Sequence, residues 1–194
     1  YDSDFAKNTP DGYIILTTHN HQANSINERK LAQINDREYC FKASTQGDFP
    51  EYSYPTDNEL VLKEGAQVMF VKNDTSRDKL FYNGKIGVVE KIYKDSIRVK
   101  CPGDEDSITV VLAEWQNLKY SINETNEEIQ EEVVGTFIQF PLKLAWAITI
   151  HKSQGLTFDK AIIDASAAFA HGQVYVELSR LKTLEGLVLS SKLT

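Results

Sequence analysis

Apolar residues in this chain gather into short β-branched runs near its two ends, separated by stretches whose apolar positions recur every three to four residues. Tyr13-Ile14-Ile15-Leu16-Thr17-Thr18 is one such run, and the turn signal Pro10-Asp11-Gly12 precedes it; the pair predicts a buried strand. Ala23, Ile26, Leu31 and Ile34 then share one stripe, which predicts a helix from Asn20 to Ile34 with Asn20 as its N-cap. Arg37 to Ser44 reads as a strand, followed by a polar loop with Gly47, Pro50 and Pro55. The middle is different in character. Ala66 to Lys72, Gly87 to Tyr93, Ile97 to Cys101 and Ser107 to Leu112 are short β-like runs punctuated by Asn83-Gly84, Asp95-Ser96 and Pro102-Gly103. That spacing predicts a small, strongly bent sheet or barrel, with Val133 to Phe140 as a strand leading back out. A helix is expected over Leu144 to Ser153 and a buried strand at Ala161 to Asp164. A second helix follows from Gly172 to Leu181, with Val174, Leu178 and Leu181 on one face, and the last strand is Leu187-Val188-Leu189.

Strand and helix alternation at both ends around a β-rich middle predicts an α/β sheet interrupted by a β insert. The divisions fall at residues 1–64, 65–140 and 141–194. A chain of 194 residues, 41% of them hydrophobic, can bury a core of its own. No apolar run approaches the roughly 18 residues needed to cross a bilayer. The acidic start Tyr1-Asp2-Ser3-Asp4 is not a signal peptide, so an intracellular, membrane-free setting is expected. The lack of an initiator Met points to a piece of a longer chain. Cys40 and Cys101 stand far apart and read as free thiols in a reducing compartment, and four scattered histidines make no zinc pattern.

The net charge of −7 argues against non-specific nucleic-acid binding by the surface as a whole. Its distribution is uneven, however. Glu124, Glu127, Glu128, Glu131 and Glu132 form an acidic run with no Lys or Arg between Lys119 and Lys143, and it reads as a solvated segment. Beyond it, Lys143, His151 and Lys152 leave room for a local groove that meets phosphate.

Two stretches carry the chemistry. Ala147-Ile148-Thr149-Ile150-His151-Lys152-Ser153-Gln154-Gly155-Leu156-Thr157 sets polar side chains and a glycine between an apolar segment and a buried strand. Its Thr, Ser, Lys and His donors suit phosphate oxygens. Spacing alone favours a helix end with Gly155 as cap and Lys152 complementing the dipole. Gly172 to Arg180 ends an amphipathic helix with an arginine able to reach a phosphate; the alternative is an arginine that caps carbonyls or pairs with Glu177. Tyr52 and Tyr54 read as exposed loop residues, Trp115 and Trp146 as core.

Taken together, Ala145 to Gly155 resembles motif V of superfamily 1 DNA helicases, in the branch containing the Pif-type and RecD-like enzymes, which move 5′ to 3′. Val174-Tyr175-Val176-Glu177-Leu178-Ser179-Arg180 resembles that branch's motif VI, usually V-A-L-S-R. Leu16 to Asn27 occupies the place of motif IV. Leu62 to Asn73, followed by Asn83 to Val89, resembles the segment leading into the branch's inserted domain. The resemblance covers nearly the whole chain. It implies the second RecA-like domain of a two-domain motor, interrupted by a small SH3-like β-barrel, with ATP held between the domains and single-stranded DNA crossing both. Arg180 then matches the motif VI arginine at the γ-phosphate, an arginine finger. Gln154 and Gly155 match positions near the nucleotide, and Thr149, His151, Lys152 and Ser153 positions near the DNA backbone. The resemblance also implies that Thr18 and Asn20 touch DNA phosphates from the motif IV end.

The chain has no G-x-x-x-x-G-K-[ST]. Tyr82-Asn83-Gly84-Lys85-Ile86 lacks the glycine-rich run and the magnesium hydroxyl and reads as a β-turn. Asp104-Glu105-Asp106 follows a turn rather than a strand end. ATP and Mg2+ are therefore expected to be held mainly by an N-terminal RecA-like domain in cis. The expected function is half of an ATP-dependent helicase acting on single-stranded DNA and forks in repair and recombination, inactive alone. The rival readings are a non-catalytic single-stranded DNA-binding module and a protein-interaction adaptor.

Overall fold

A computed structural model describes residues 12–122, 129–163 and 178–190. β1 (Ile14–Thr17) is followed directly by α1 (Asn20–Gln33), which turns Ala23, Asn27 and Leu31 inward. The N-cap is His19, not Asn20: His19 is extended (φ −124, ψ 136) and Asn20 already lies in the helix. No side chain caps this end. Instead the Thr18 hydroxyl meets the His19 ring Nδ1 at 2.7 Å, and Thr17 Oγ1 donates to the His19 carbonyl at 3.2 Å.

The chain then leaves for a run of antiparallel strands: β2 (Tyr39–Lys42), β3 (Ser44–Gly47), β4 (Glu59–Leu62), β5 (Gln67–Phe70), β6 (Ile86–Ile92), β7 (Ile97–Lys100), β8 (Ile108–Val110), β9 (Ala113–Ile122), β10 (Ile129–Gln139) and β11 (Leu142–Leu144). They form sheets ordered β11-β5-β6-β7-β8, β3-β10-β9 and β2-β4. β12 (Ala147–Thr149), β13 (Ala161–Ile163) and β14 (Leu187–Leu189) return to β1 in one parallel sheet ordered β12-β1-β13-β14. The fold is thus the expected α/β arrangement, a parallel sheet entered and re-entered around antiparallel structure.

The helix expected over Leu144 to Ser153 is not there. Residues 147–149 form β12, pairing with β1 as Ile15↔Ala147, Leu16↔Ile148 and Thr17↔Thr149, and a single 3-10 turn follows at His151–Ser153. All three β12 residues are buried. A continuous apolar run this short fits a buried strand and a buried helix equally by periodicity, and here Ile148, Thr149 and Ile150 favour the strand. The polar loop after residue 43 also contains structure that its composition hides: β3, a 3-10 turn at Glu51–Ser53, and β4. The helix expected from Gly172 lies outside the described residues as far as Glu177, as do His171, Glu124, Glu127 and Glu128.

Two apolar cores lie back to back. One gathers Leu60, Leu62, Val68, Phe70, Val99, Phe140 and Leu142 with Leu31 of α1. The other lies on the parallel sheet, with Ile14, Leu16, Ile148, Leu156, Phe158 and Ile163. β5 divides them. All four of its residues are buried; Val68 and Phe70 face the first core, whereas Met69 faces the second. Cys40 is exposed and Cys101 buried, both free thiols. Among the described residues no helix is long and apolar enough to cross a membrane.

β10 is kinked by an irregularity between Val133 and Gly135, and there its backbone closes on the chain after β3. A Cβ on Gly135 would sit 2.2 Å from the Asp48 carbonyl oxygen, a backbone atom with no room to yield. Gly135→Ala is therefore expected to destabilise the fold by about 1–3 kcal/mol, read as a lowered urea midpoint.

Candidate functional site

Thr17 and Thr149 end neighbouring parallel strands in register, and the Ile150 N–H extends the ladder to the Thr17 carbonyl at 2.9 Å. The carboxyl edge of an open parallel sheet is where side chains and loops are free to meet a ligand. Thr18 and Asn20 leave β1 at this edge, and His151 to Gly155 leave β12 beside them. Two sequence stretches far apart are thus brought to one place.

The turn after β12 separates structural from outward-facing groups. Ser153 is 0% exposed; its Oγ donates to the Ile150 carbonyl at 2.7 Å, and its N–H reaches the same oxygen at 3.1 Å. That hydroxyl closes the turn. Thr149 is also buried. His151, Lys152, Gln154 and Gly155 are exposed. Gly155 has φ +78 with open space around a built Cβ, so the left-handed backbone, not crowding, calls for glycine.

Lys152, Lys143, Tyr54, Asn83, Met69 and Gln154 line a cleft of about 370 Å³. Partial desolvation, together with the like charge of Lys143, lowers the Lys152 pKa, and Asp57 offsets this in part. Asp57 also sits 3.5 Å from the Lys143 ammonium. Tyr52 is 91% exposed, as expected, but Tyr54 is half-buried and packs on Phe137 with ring centroids 4.6 Å apart. Trp146 is core; Trp115 is half-buried, edge-on to Phe137 and under the Lys72 ammonium.

Arg180 joins this turn from the far end of the sequence. The Phe158 N–H donates to the Arg180 carbonyl at 2.7 Å and the Lys182 N–H to the Phe158 carbonyl at 3.1 Å, a short parallel bridge. The half-buried guanidinium donates through Nη1 to the Leu156 carbonyl at 3.5 Å and through Nη2 to Ser179 Oγ at 2.9 Å. Arg180 therefore lies beside Leu156 and Phe158, which follow the Ser153-Gln154-Gly155 turn.

The two segments set aside as false nucleotide motifs meet each other: Lys85 Nζ lies 2.6 Å from Asp104 Oδ2 and also donates to the Leu80 carbonyl. Gly84 rests on the Leu156 side chain. Among the described residues no group of three or more His, Cys, Asp or Glu is placed to hold a metal ion.

Three buried amides were not singled out from sequence. Asn27 bonds both backbone groups of Ala147. Gln67 bonds Gly12, Tyr13 and Ala145. Gln139, fully buried, donates to the Phe41 carbonyl and accepts from the Phe140 N–H. The available signal was a polar amide inside an apolar pattern: Asn27 stands four residues from both Ala23 and Leu31, and Gln67 and Gln139 lie inside buried strands.

No family model matches the chain. It is 37% identical over 220 residues to the ATP-dependent DNA helicase Pif1 of Psychrobacter sp., a match covering 90% of this chain and 33% of that protein. Bacteroides sp Pif1 in complex with ADP-AlF4 superposes at TM-score 0.90 with 40% identity, over 100% of this chain and 43% of that one. Pif1 helicase from Bacteroides in complex with ADP-AlF3 and ssDNA superposes at TM-score 0.71 with 42% identity, over 96% of this chain and 42% of that one. By sequence and fold the chain is similar to the C-terminal half of Pif1-type helicases; it spans about a third of the length of the curated relative.

The lowered pKa of Lys152 has a checkable sign. The unfolded chain holds this proton more tightly than the folded one, so the charged lysine costs stability at neutral pH, and that cost fades as pH rises through its lowered value toward the ordinary 10.5. Lys152→Met is expected to be the more stable protein at pH 7, with the gap to wild type closing toward pH 10 in paired urea titrations.

Proposed function

We propose that this chain is half of an ATP-driven motor that moves along single-stranded DNA and opens duplex at forks. The observation that carries the reading is the contact of Arg180 with the Leu156 carbonyl, which brings the motif VI arginine beside the residue that follows the motif V turn. A turn that touches nucleotide on one side and DNA on the other is a direct route from hydrolysis to movement.

In this reading Arg180 stabilises charge developing on the γ-phosphate as water attacks. Gln154 and Gly155 face the nucleotide; the bare backbone at Gly155 allows close approach. Lys152 and His151 meet DNA phosphates from the cleft, and Thr18 and Asn20 do so from the neighbouring strand end. Thr149 and Ser153 act by holding the turn, since both are buried. The phosphate loop, the magnesium ligands and the general base come from an N-terminal RecA-like domain in cis. We assign residues 39–144 to the insert, since β2 and β4 carry Phe41, Leu60 and Leu62 into its core. That start precedes the division at residue 65 read from sequence. The setting is intracellular, and repair and recombination are the processes such a motor serves. Replacing Arg180 with Ala in the full-length protein is expected to lower DNA-stimulated ATP turnover by roughly three or more powers of ten, with nucleotide affinity much less affected. Turnover close to wild type would remove Arg180 from the γ-phosphate and with it this reading.

A further inference from the structure

The entry to β12 is gripped in an unusual way. Ala145 is bracketed by Gln67 of β5: its N–H donates to the Gln67 backbone carbonyl at 3.0 Å, and Gln67 Nε2 donates to its carbonyl at 2.8 Å. Gln67 also reaches the foot of β1, donating to the Tyr13 carbonyl at 2.9 Å and accepting from the Gly12 N–H at 3.0 Å. Ala147 is bracketed by Asn27 of α1, whose Oδ1 accepts from its N–H and whose Nδ2 donates to its carbonyl, both at 2.9 Å. Between them, the Trp146 carbonyl accepts from the Ile15 N–H at 2.8 Å. Three consecutive residues are thus fixed by three different elements.

β12 is the edge strand of the parallel sheet. A primary amide offers a donor and an acceptor in one group, as a peptide does, so Asn27 takes the place of a further strand on the open edge. Both amides are buried, Gln67 at 2% and Asn27 at 7% exposure. An apolar side chain could fill the same space but would leave the outward-facing N–H and carbonyl of Ala147 without these bonds. What β12 carries next is the turn of His151 to Gly155, whose placement against Arg180 depends on where β12 stops.

We propose that Asn27 and Gln67 are positioning residues for the motif V turn, and that Gln67 ties the placement of that turn to the antiparallel insert from which it projects. The inference rests on the motor reading above. Gln67 reaches from the insert to both the segment entering β1 and the start of motif V, so the DNA-dependent part of the reaction should feel its loss most.

The test uses the full-length helicase with two near-isosteric variants. Asn27→Asp keeps an acceptor for the Ala147 N–H and loses the donor; Gln67→Met loses all three side-chain bonds. ATP hydrolysis is followed against single-stranded DNA concentration, with thermal unfolding in parallel. Because the turn also carries Gln154 and Gly155 toward the nucleotide, DNA-free hydrolysis falls by roughly two- to threefold; the expected result is a clearly larger loss of DNA-stimulated hydrolysis, with a roughly tenfold rise in the DNA concentration giving half-maximal stimulation. Unwinding per ATP consumed falls as well. Unchanged stimulation curves in folded variants would overturn the inference. So would equal loss of DNA-free and DNA-stimulated hydrolysis, which marks a framework role. Should Asn27→Asp fail to fold, Gln67→Met carries the same test; failure of both to fold also counts against positioning. Arg180→Ala in the same series separates the two claims. If stimulated hydrolysis survives it, the motor reading falls; if it is lost while both amide variants behave as wild type, only the present inference falls.

Discussion

β5 is buried on both faces, and the rest of the molecule is arranged around that constraint. A strand with water on one side needs apolar residues only at alternate positions; Gln67-Val68-Met69-Phe70 has no exposed position. Val68 and Phe70 complete the core of the antiparallel insert, and Met69 completes the core under the parallel sheet. Gln67 faces the parallel side as well, where its amide must be satisfied or cost free energy. It is satisfied by the three segments that meet there. The insert is therefore built into the wall of the parallel sheet, not hung from it by a linker.

The site follows from this wall. β11 pairs with β5, and within a few residues the chain becomes β12 and then the turn of His151 to Gly155. Ser153 closes the turn with its own hydroxyl, leaving His151, Lys152 and Gln154 to face outward. Arg180 comes in behind through Phe158 and Leu156. Groups that look catalytic in isolation are spent elsewhere: Lys85 and Asp104 neutralise each other within the insert. The charge near the cleft is local, carried by Lys143 and Lys152 against Asp57, in a chain whose net charge is −7.

The parallel strands were legible because β1, β13 and β14 are short apolar runs bounded by polar or turn residues. The resemblance singled out Arg180 and the turn of His151 to Gly155 as sequence segments, but no local signal pointed to the contact of Arg180 with Leu156 just after that turn. β12 read as helix because a short apolar run buried on all sides has no period to betray it. β9 was missed because Glu114, Gln116 and Lys119 interrupt its pattern and the acidic run beyond suggested a solvated segment; its pairing with β10 as Trp115↔Phe137 supplies what propensity does not. The Asn20 cap failed because the preceding His19 is extended and closes the helix by backbone geometry alone. The amide clamps pair residues separated by 120 positions for Asn27 and 78 for Gln67. No local rule finds such a partner, although each amide already stood out as polar within an apolar pattern.

The central claim is that Arg180 and the motif V turn form one half of a transition-state site. It is tested most directly by binding ADP to the full-length protein with and without aluminium fluoride, comparing wild type with Arg180→Ala by calorimetry. An arginine that acts on the transferring phosphoryl group recognises its transition-state mimic far better than the diphosphate. The account predicts that aluminium fluoride tightens ADP binding in wild type, that Arg180→Ala removes most of this tightening, and that affinity for ADP alone is nearly unchanged. Equal tightening in both proteins would contradict it.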